Sequence, residues 1–504
     1  MAPRAFQITA GASVAAFVLF PLWAVWRHSD ALTSLGEAEW AALWFTLKQA
    51  LLSAFLSVFF ALPLARALAR TQFWGRQFVI MVLGAPFILP VIVAILGLIA
   101  VFGQNGIFNL LWTAFGFERI SIYGLQGVLL AHVFFNLPLA TRMLLLGWTS
   151  IPSERIRLAQ SLGLTARGRF CCVEWPMLVQ VVPSAFAVIF VICLSSFAVA
   201  LTLGGGPRAT TIELAIYQAI RFEFDFATAA MLGFMQLTVS LLAALIAVFL
   251  GMTNGFGFGL DRSLPCVARP AFEQFWDGMI ITIAILFLAL PLAILTITGA
   301  AGLLELPPSV WAAALRSVLI ALGAGVLCLM LALPLCTRIG EVIGTLGIAV
   351  SPLVLGTGIF LIVRPYVNPF DIALIVTLCV NAVLSLPFVL RVLRPNVEQT
   401  SKTYLKLSQS LGLGPWAQFR WVFWPRLRRP LGFSAGLVTA LSMGDLGVIA
   451  LFGDAEYATL PLKIYQLMGS YRMEQAASGA VLLLSLSLSL FWIFDRWGRG
   501  NAAH

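Results

Sequence analysis

Long stretches of apolar residues constrain this chain more than any other feature of its sequence. A helix that crosses a bilayer needs about 20 mostly apolar residues, whereas a strand of a membrane barrel needs only about ten, in alternation. Because the stretches here are long and continuous, we predict an all-α polytopic membrane protein with about twelve transmembrane helices. The twelve stretches lie near residues 5–26, 43–66, 78–102, 123–147, 179–202, 227–251, 278–299, 311–336, 342–363, 370–390, 430–452 and 475–494.

The positively charged residues indicate which side of the membrane each loop faces. If twelve helices cross the membrane, both termini lie on one side, and 22 of the 31 Lys and Arg residues fall on that side. Loops rich in Lys and Arg remain in the cytoplasm. We therefore expect a multi-pass protein of the bacterial inner membrane with both termini in the cytoplasm. The lipid bilayer is its surrounding medium, and no nucleic-acid partner is expected, because the basic residues are dispersed between the helices.

The sequence repeats itself at a spacing of about 249 residues. Six predicted helices separate equivalent points, an even number, so the two halves have the same orientation and form parallel six-helix repeats. The matching pairs are Gln-Ser-Leu-Gly-Leu at 160–164 and 409–413, Trp-Pro at 175–176 and 424–425, Leu-Pro at 137–138 and 386–387, and Ile-Tyr-Gln at 216–218 and 464–466.

A polar stretch rich in Gly and Pro separates the two halves. Such a composition is typical of a linker, and the topology places this one in the cytoplasm. We predict a first half at 1–252, a linker at 253–276 and a second half at 277–504. The chain would thus correspond to a dimer joined end to end.

The repeated cytoplasmic segment has the pattern of a helix, a glycine and a second helix. Gly163 and Gly412 stand where a helix end favours positive φ, and in the first copy Leu158, Ala159 and Leu162 would form a small apolar face. Two interpretations stay open. The segment is either an amphipathic helix at the membrane surface or a docking element for a cytoplasmic partner, and two like-oriented copies would suit a partner with twofold symmetry.

The same segment resembles the EAA loop of ABC-importer permeases, in which Gly follows Glu-Ala-Ala after three residues and Ile-x-Leu-Pro follows nine residues later. The Gly, the Pro and the spacing match in both copies, but a basic residue, Arg157 or Lys406, replaces the Glu. The resemblance implies a type I (MetI-like) permease fold, with coupling loops at 150–178 and 395–427 that dock on a cytoplasmic ABC ATPase homodimer. The implied docking residues are Arg157, Leu158, Ala159, Ser161, Leu162, Gly163, Leu164, Lys406, Leu407, Ser408, Ser410, Leu411, Gly412 and Leu413.

Three further stretches are similar to the permeases of thiamine ABC importers: Tyr123–Leu145, Leu201–Ile220 and Ser442–Gln466. The resemblance covers the whole chain, because fused two-half permeases of about this length form a recognised subgroup. It implies import of thiamine, or of its phosphates, from a periplasmic thiamine-binding protein. Fused ferric-iron permeases have the same architecture, so ferric iron is the alternative cargo.

No segment of the chain fits an ATP-binding P-loop. A P-loop requires Gly-Lys followed by Ser or Thr, and none of the four lysines, Lys48, Lys402, Lys406 and Lys463, follows a glycine. Ion-driven carriers place acidic residues within their spans, and the predicted spans here hold few. We therefore expect a transport permease without enzymatic activity or cofactor, driven by a separate ATPase. An ion-coupled secondary transporter is the less favoured alternative.

Asp445 is the main acidic residue within a predicted span. It would either face the translocation path of a cationic cargo or bond to backbone groups freed near Gly444, and both interpretations stay open. No metal site is predicted, because the cysteines and histidines do not lie at ligand spacing.

The longest outward loops next to the last span of each half are 204–225 and 453–474, and each carries an Ile-Tyr-Gln element. Glu213, among other acidic residues, is expected to make these loops acidic. The predicted contacts of a binding protein are Tyr217, Gln218, Tyr465 and Gln466; packing of a re-entrant loop is the alternative.

Overall fold

The computed structural model describes residues 4–28, 36–83, 89–206, 209–250, 270–348, 350–454 and 457–499. Across these ranges the regular structure is helical and contains no strand, which confirms the predicted all-α class. The helices of the first half are α1 (Arg4–His28), α2 (Glu37–Arg70), α3 (Arg76–Val82), α4 (Val91–Phe102), α5 (Ile107–Ala114), α6 (Leu125–Thr149), α7 (Ser153–Ser161), α8 (Ala166–Arg169), α9 (Trp175–Leu194), α10 (Phe197–Leu203), α11 (Ile212–Gln218) and α12 (Phe226–Phe249).

The second half repeats this order, with one long helix in place of α6 and α7 and a short 3₁₀ turn, Pro369–Ile372, in place of α5. Its helices are α13 (Ala271–Ala301), α14 (Pro308–Ala332), α15 (Arg338–Thr345), α16 (Pro352–Val363), α17 (Ala373–Ser410), α18 (Pro415–Gln418), α19 (Trp424–Met443), α20 (Gly447–Phe452), α21 (Leu460–Gly469) and α22 (Met473–Arg499). Most of the predicted linker, 253–269, lies outside the described residues, and α13 begins within the range assigned to that linker.

Eleven helical segments of the described chain are long and apolar enough to cross a membrane. They match eleven of the twelve predicted spans in order. The prediction of one continuous span at 342–363 is wrong, because the chain breaks there and only the 12-residue α16 continues. Pro352 lacks the N–H that would extend the preceding helix, and Ser351 caps the new one by accepting a hydrogen bond from the backbone N–H of Leu353.

The first helix of each half packs against the opposite half. Helix α1 lies along α16, and α13 lies along α4. The contacts correspond in the two halves: Gly358 of α16 faces the backbone of Pro21, and Gly97 of α4 faces the backbone of Pro291. A glycine permits this approach because it has no Cβ. The halves are therefore interlocked rather than placed side by side.

Contacts between helix ends place both repeated loops on the same side of the molecule. The end of α2 contacts Glu174 within the first loop, and Arg70 on α2 pairs with Asp277 at the start of α13 over 2.9 Å. Helices α13 and α22 are antiparallel neighbours. Trp497 at the end of α22 contacts Trp424 beside the second loop. Both loops could therefore be engaged by one partner.

Candidate functional site

The two repeated loops have the same helix-ending geometry. Gly163 has φ of 64° and Gly412 has φ of 67°, the left-handed region that glycine adopts without steric cost. The N–H of Leu164 donates to the carbonyl of Ala159 over 3.1 Å, and that of Leu413 donates to the carbonyl of Ser408 over 3.0 Å. Each of these bonds is the 6→1 hydrogen bond of a Schellman motif, which ends a helix. Local sequence thus fixes the shape of both loops, as the glycine positions predicted.

Leucine side chains project from both loops away from the protein. Leu158 and Leu162 are 59% and 66% exposed, and their equivalents Leu407 and Leu411 are 55% and 66% exposed. A matched pair of exposed leucines in each half is a feature that local packing does not require. The prediction that Ala159 shares this apolar face is wrong. Ala159 is buried, because it lies on the side of α7 that faces the protein.

The remaining implied docking residues lie around these leucines. Ser408, the equivalent of Ala159, is likewise buried against the protein. The residues exposed to solvent are Arg157, Ser161, Gly163, Lys406, Ser410 and Gly412, and the partly exposed ones are Leu164 and Leu413. The two loops therefore present basic and apolar groups together.

An ion pair fastens the first loop to α2. The Arg66 guanidinium donates from Nε and one Nη to the two oxygens of Glu174, over 2.6 and 3.1 Å. The same guanidinium lies over the ring of Phe170, 5.1 Å from its centroid. Phe170 and Glu174 bound a five-residue π-helical turn, and the second half has such a turn at the equivalent positions Phe419–Phe423. The first loop is therefore mechanically coupled to a transmembrane helix.

Glu154 adds a negative charge to the first turn of α7. Its own backbone N–H and the Ser153 hydroxyl bond to the carboxylate, and Arg157 lies one turn later, so the pKa of Glu154 is lowered from its usual value. A carboxylate near a helix N-terminus also complements the helix dipole. Glu154 therefore remains ionised and balances the basic residues of the loop.

A cavity of about 380 Å³ lies between the two halves. Its wall comes from the starts of α4 and α16, the middle of α6, and the breaks between α9 and α10 and between α19 and α20. The helical path breaks at Ser195–Ser196 in the first half and at Gly444–Leu446 in the second. Backbone that leaves helical geometry within a membrane is tolerated where it lines a cavity. The cavity therefore lies where the equivalent breaks of the two halves meet.

Hydrogen bonds hold two polar side chains at equivalent positions of the two halves, and one of them, His132, lines the cavity. His132 contacts the Ser53 hydroxyl through Nδ1 over 2.9 Å and the Ser196 hydroxyl through Nε2 over 2.6 Å. At the position equivalent to His132, Asn381 donates to the Ser442 hydroxyl over 2.9 Å. Both ring nitrogens of His132 thus contact hydroxyl groups of the protein, and no group of three metal-ligating side chains occurs among the described residues.

Asp445 lines the same cavity. Its Oδ1 accepts a hydrogen bond from the backbone N–H of Gly447 over 3.1 Å. Its buried Oδ2, in a carboxylate that lies beside the Asn381 side chain, meets no donor in hydrogen-bonding geometry within the described residues. The bond to Gly447 agrees with the interpretation that Asp445 bonds to backbone groups at the helix break, and a role on the translocation path stays a prediction.

Glu213 is a lining residue that the sequence did not reveal. The expectation that it makes an outward loop acidic is wrong, because α11 turns back among the transmembrane helices and leaves Glu213 fully buried. It borders the cavity, close to Ser351, but neither carboxylate oxygen has a hydrogen-bond partner within the described residues. No local signal distinguishes Glu213 from an exposed loop acid. Only the tertiary packing of α11 buries it.

The Ile-Tyr-Gln elements are less accessible than predicted. Tyr217 is 7% exposed and packs within the core beside Phe197, so its assignment as a surface contact is wrong in this conformation. Gln218, Tyr465 and Gln466 are partly exposed. The re-entrant alternative describes the first element better, since α11 packs among the spans.

Comparison with known proteins identifies the family. The thiamine transport system permease protein ThiP of Brucella suis biovar 1 is 38% identical over 484 residues, which cover 93% of this chain and 89% of that protein. ThiP of Escherichia coli K12 is 37% identical over 97% of this chain and 95% of its own length, and ThiP of Haemophilus influenzae is 36% identical over 92% of each. The chain belongs to the family of thiamine transport system permease proteins. No family model matches it.

Membership of this permease family confirms the resemblance seen in the sequence. It also agrees with the eleven long apolar helices of the described chain and with a multi-pass inner-membrane location. The similarity covers 97% of the chain and therefore extends across both halves. The relatives are transport permeases, and the chain falls in that class of proteins.

Proposed function

We propose that the chain is the membrane-spanning permease of an ABC importer that carries thiamine into the cytoplasm. The observation that carries the proposal is the similarity to ThiP proteins over more than nine tenths of the chain. The two interlocked halves and the cavity between them suit alternating access to either side of the membrane. No observation favours ferric iron as the cargo.

The energy source in this proposal is a separate ATPase homodimer that docks on the two loops. The exposed pairs Leu158 and Leu162, and Leu407 and Leu411, support it, because a twofold partner requires two like surfaces on one side. Closure of the ATPase would push both loops. The bidentate pair between Arg66 and Glu174 would transmit that movement to α2. In this proposal the loops, both termini and the 253–276 linker lie in the cytoplasm, where the ATPase docks.

A periplasmic binding protein would deliver thiamine on the opposite side. Gln218, Tyr465 and Gln466 are partly exposed and remain its proposed contacts. Phe224 and Tyr471 extend this surface: they are 66% and 92% exposed and stand at equivalent positions before α12 and α22.

Reconstitution tests the transport proposal. Proteoliposomes that contain the chain, its ATPase and its binding protein should accumulate radiolabelled thiamine only when ATP is supplied on the ATPase side. Vesicles with the chain alone should accumulate none under a proton or sodium gradient. Uptake by the chain alone would assign it to the ion-coupled carriers, and failure of the complete system to take up thiamine would refute the proposed cargo.

Co-purification tests the docking proposal. The double variant Leu162→Asp and Leu411→Asp should release the ATPase from the solubilised permease, because it places a charge in each apolar contact. Leu304→Asp is the matched control, since Leu304 is 95% exposed on the opposite side. Retention of the ATPase by the double variant would contradict the assignment of these loops.

A further inference from the structure

We propose that the cavity between the halves is a binding site for an aromatic organic cation, with the carboxylates of Glu213 and Asp445 as its charged ligands. The proposal rests on the proposed function, since thiamine carries a positively charged thiazolium ring. It deepens that function by assigning the permease a cargo site of its own. One carboxylate comes from each half of the chain.

The size and walls of the cavity suit such a cargo. Its volume of about 380 Å³ falls within the range of about 300–1,000 Å³ that is usual for small-molecule sites. Leu89 and Leu353 supply apolar surface from the two halves, and Phe135 and Phe197 supply aromatic faces. Aromatic faces attract organic cations through the ring quadrupole. A small hydrated metal ion would gain little from this lining, and no cluster of three metal-ligating side chains occurs in the described residues.

Glu213 provides the observation that points to a ligand. It is fully buried, borders the cavity, and has two oxygens without a hydrogen-bond partner in the described chain. A buried carboxylate is costly unless it is paired or hydrogen-bonded. The cavity lining contains no Lys or Arg, and both ring nitrogens of His132 already contact serine hydroxyls. A cation that enters the cavity would supply the missing partner.

Asp445 adds a second carboxylate at the same place. Its Oδ1 accepts a hydrogen bond from the Gly447 N–H, and its Oδ2, like both oxygens of Glu213, is buried and meets no donor in hydrogen-bonding geometry within the described residues. The two carboxylates come from opposite halves and border one space, so both could face one positively charged cargo.

Binding of thiamine to the permease–ATPase complex, measured in detergent without the binding protein, tests the site. We expect saturable binding to the wild-type complex. Glu213→Gln and Asp445→Asn should each weaken it by about tenfold or more, because each removes a charge that faces the cation. Glu223→Gln is the matched control, since Glu223 lies exposed on the same outward segment. Unchanged binding in both cavity variants would overturn the proposal.

A second measurement needs no variant. A neutral analogue with carbon in place of the thiazolium nitrogen has nearly the same shape as thiamine but lacks its charge. We expect the wild-type complex to bind this analogue at least about tenfold more weakly. Equal affinity for the two compounds would refute a charge-selective site, even if a cavity variant failed to fold.

Uptake by the complete system separates the two proposals. If the wild-type complex with ATP and binding protein does not import thiamine, the proposed function fails and the thiamine site fails with it. If the wild type imports thiamine and both cavity variants import it equally well, the proposed function stands and the carboxylate site is refuted. ATPase activity stimulated by the binding protein should persist in both variants, which shows that they are folded and coupled.

Discussion

Replacement of Gly358 by Ala should weaken the contact that interlocks the two halves. A Cβ at this position would lie 2.3 Å from the carbonyl oxygen of Pro21 and 2.6 Å from its carbonyl carbon. Ordinary van der Waals contact begins at about 3.4 Å, so α1 and α16 would have to separate by about 1.1 Å. The obstacle is backbone rather than a flexible side chain, so a rotamer change cannot remove it.

The expected cost follows from this geometry. Overpacking in a well-packed interior costs about 1–3 kcal/mol, whereas Ala in place of Gly in a helix returns about 0.5–1 kcal/mol. The net loss should therefore be up to about 2.5 kcal/mol. At the equivalent contact, a Cβ on Gly97 would lie 2.8 Å from the Pro291 carbonyl oxygen. Gly97→Ala therefore requires about half the displacement and should cost less.

The relative stability of the variants is measured by thermal unfolding in detergent, followed by size-exclusion chromatography of the permease that remains soluble. Gly278→Ala is the control, because a Cβ there meets nothing within 4 Å. We expect the melting temperature to fall by a few degrees for Gly358→Ala and by less for Gly97→Ala, and to rise slightly for Gly278→Ala, where only the helix preference of Ala acts. A Gly358→Ala variant as stable as the control would refute the close interlocking of the halves.

Three further predictions concern the loops and a helix start. Gly163→Ala together with Gly412→Ala should strain both loops, at about 1–2 kcal/mol per left-handed residue, and weaken ATPase co-purification while leaving the spans intact. Glu174→Gln should cost about 1–3 kcal/mol, measured by thermal unfolding, because it weakens two charge-assisted hydrogen bonds. Glu398→Gln, in a solvent-exposed pair, should leave the melting temperature nearly unchanged. Asp225 caps α12 by accepting hydrogen bonds from the Thr228 hydroxyl and from the backbone N–H groups of Ala227 and Thr228. These bonds lower the pKa of Asp225, and the bond from the Thr228 hydroxyl contributes most. Asp225→Ala should therefore cost about 1 kcal/mol at pH 7, and because the folded pKa is lowered, the difference from wild type should shrink as the pH falls through that pKa.

Sequence alone determined the class of the protein and the local shape of its loops. The number and length of the apolar stretches are local properties, and a bilayer selects helices of that length regardless of what they pack against. The glycines of the repeat predicted the left-handed helix ends at Gly163 and Gly412, since backbone sterics act over one turn. The constant register of the repeat predicted two like-oriented halves with two equivalent loops.

Tertiary structure alone decided which residues meet in the centre of the molecule. Glu213 stands in a segment that reads as an outward loop, and Tyr217 reads as a surface contact, yet both are buried because α11 packs back among the spans. The packing of α1 and α13 against the opposite halves, and the place of Glu213 and Asp445 in the wall of one cavity, bring together residues far apart in the chain. Burial depends on such long-range packing, whereas the length of an apolar stretch and the local backbone conformation depend only on residues that are neighbours in the sequence.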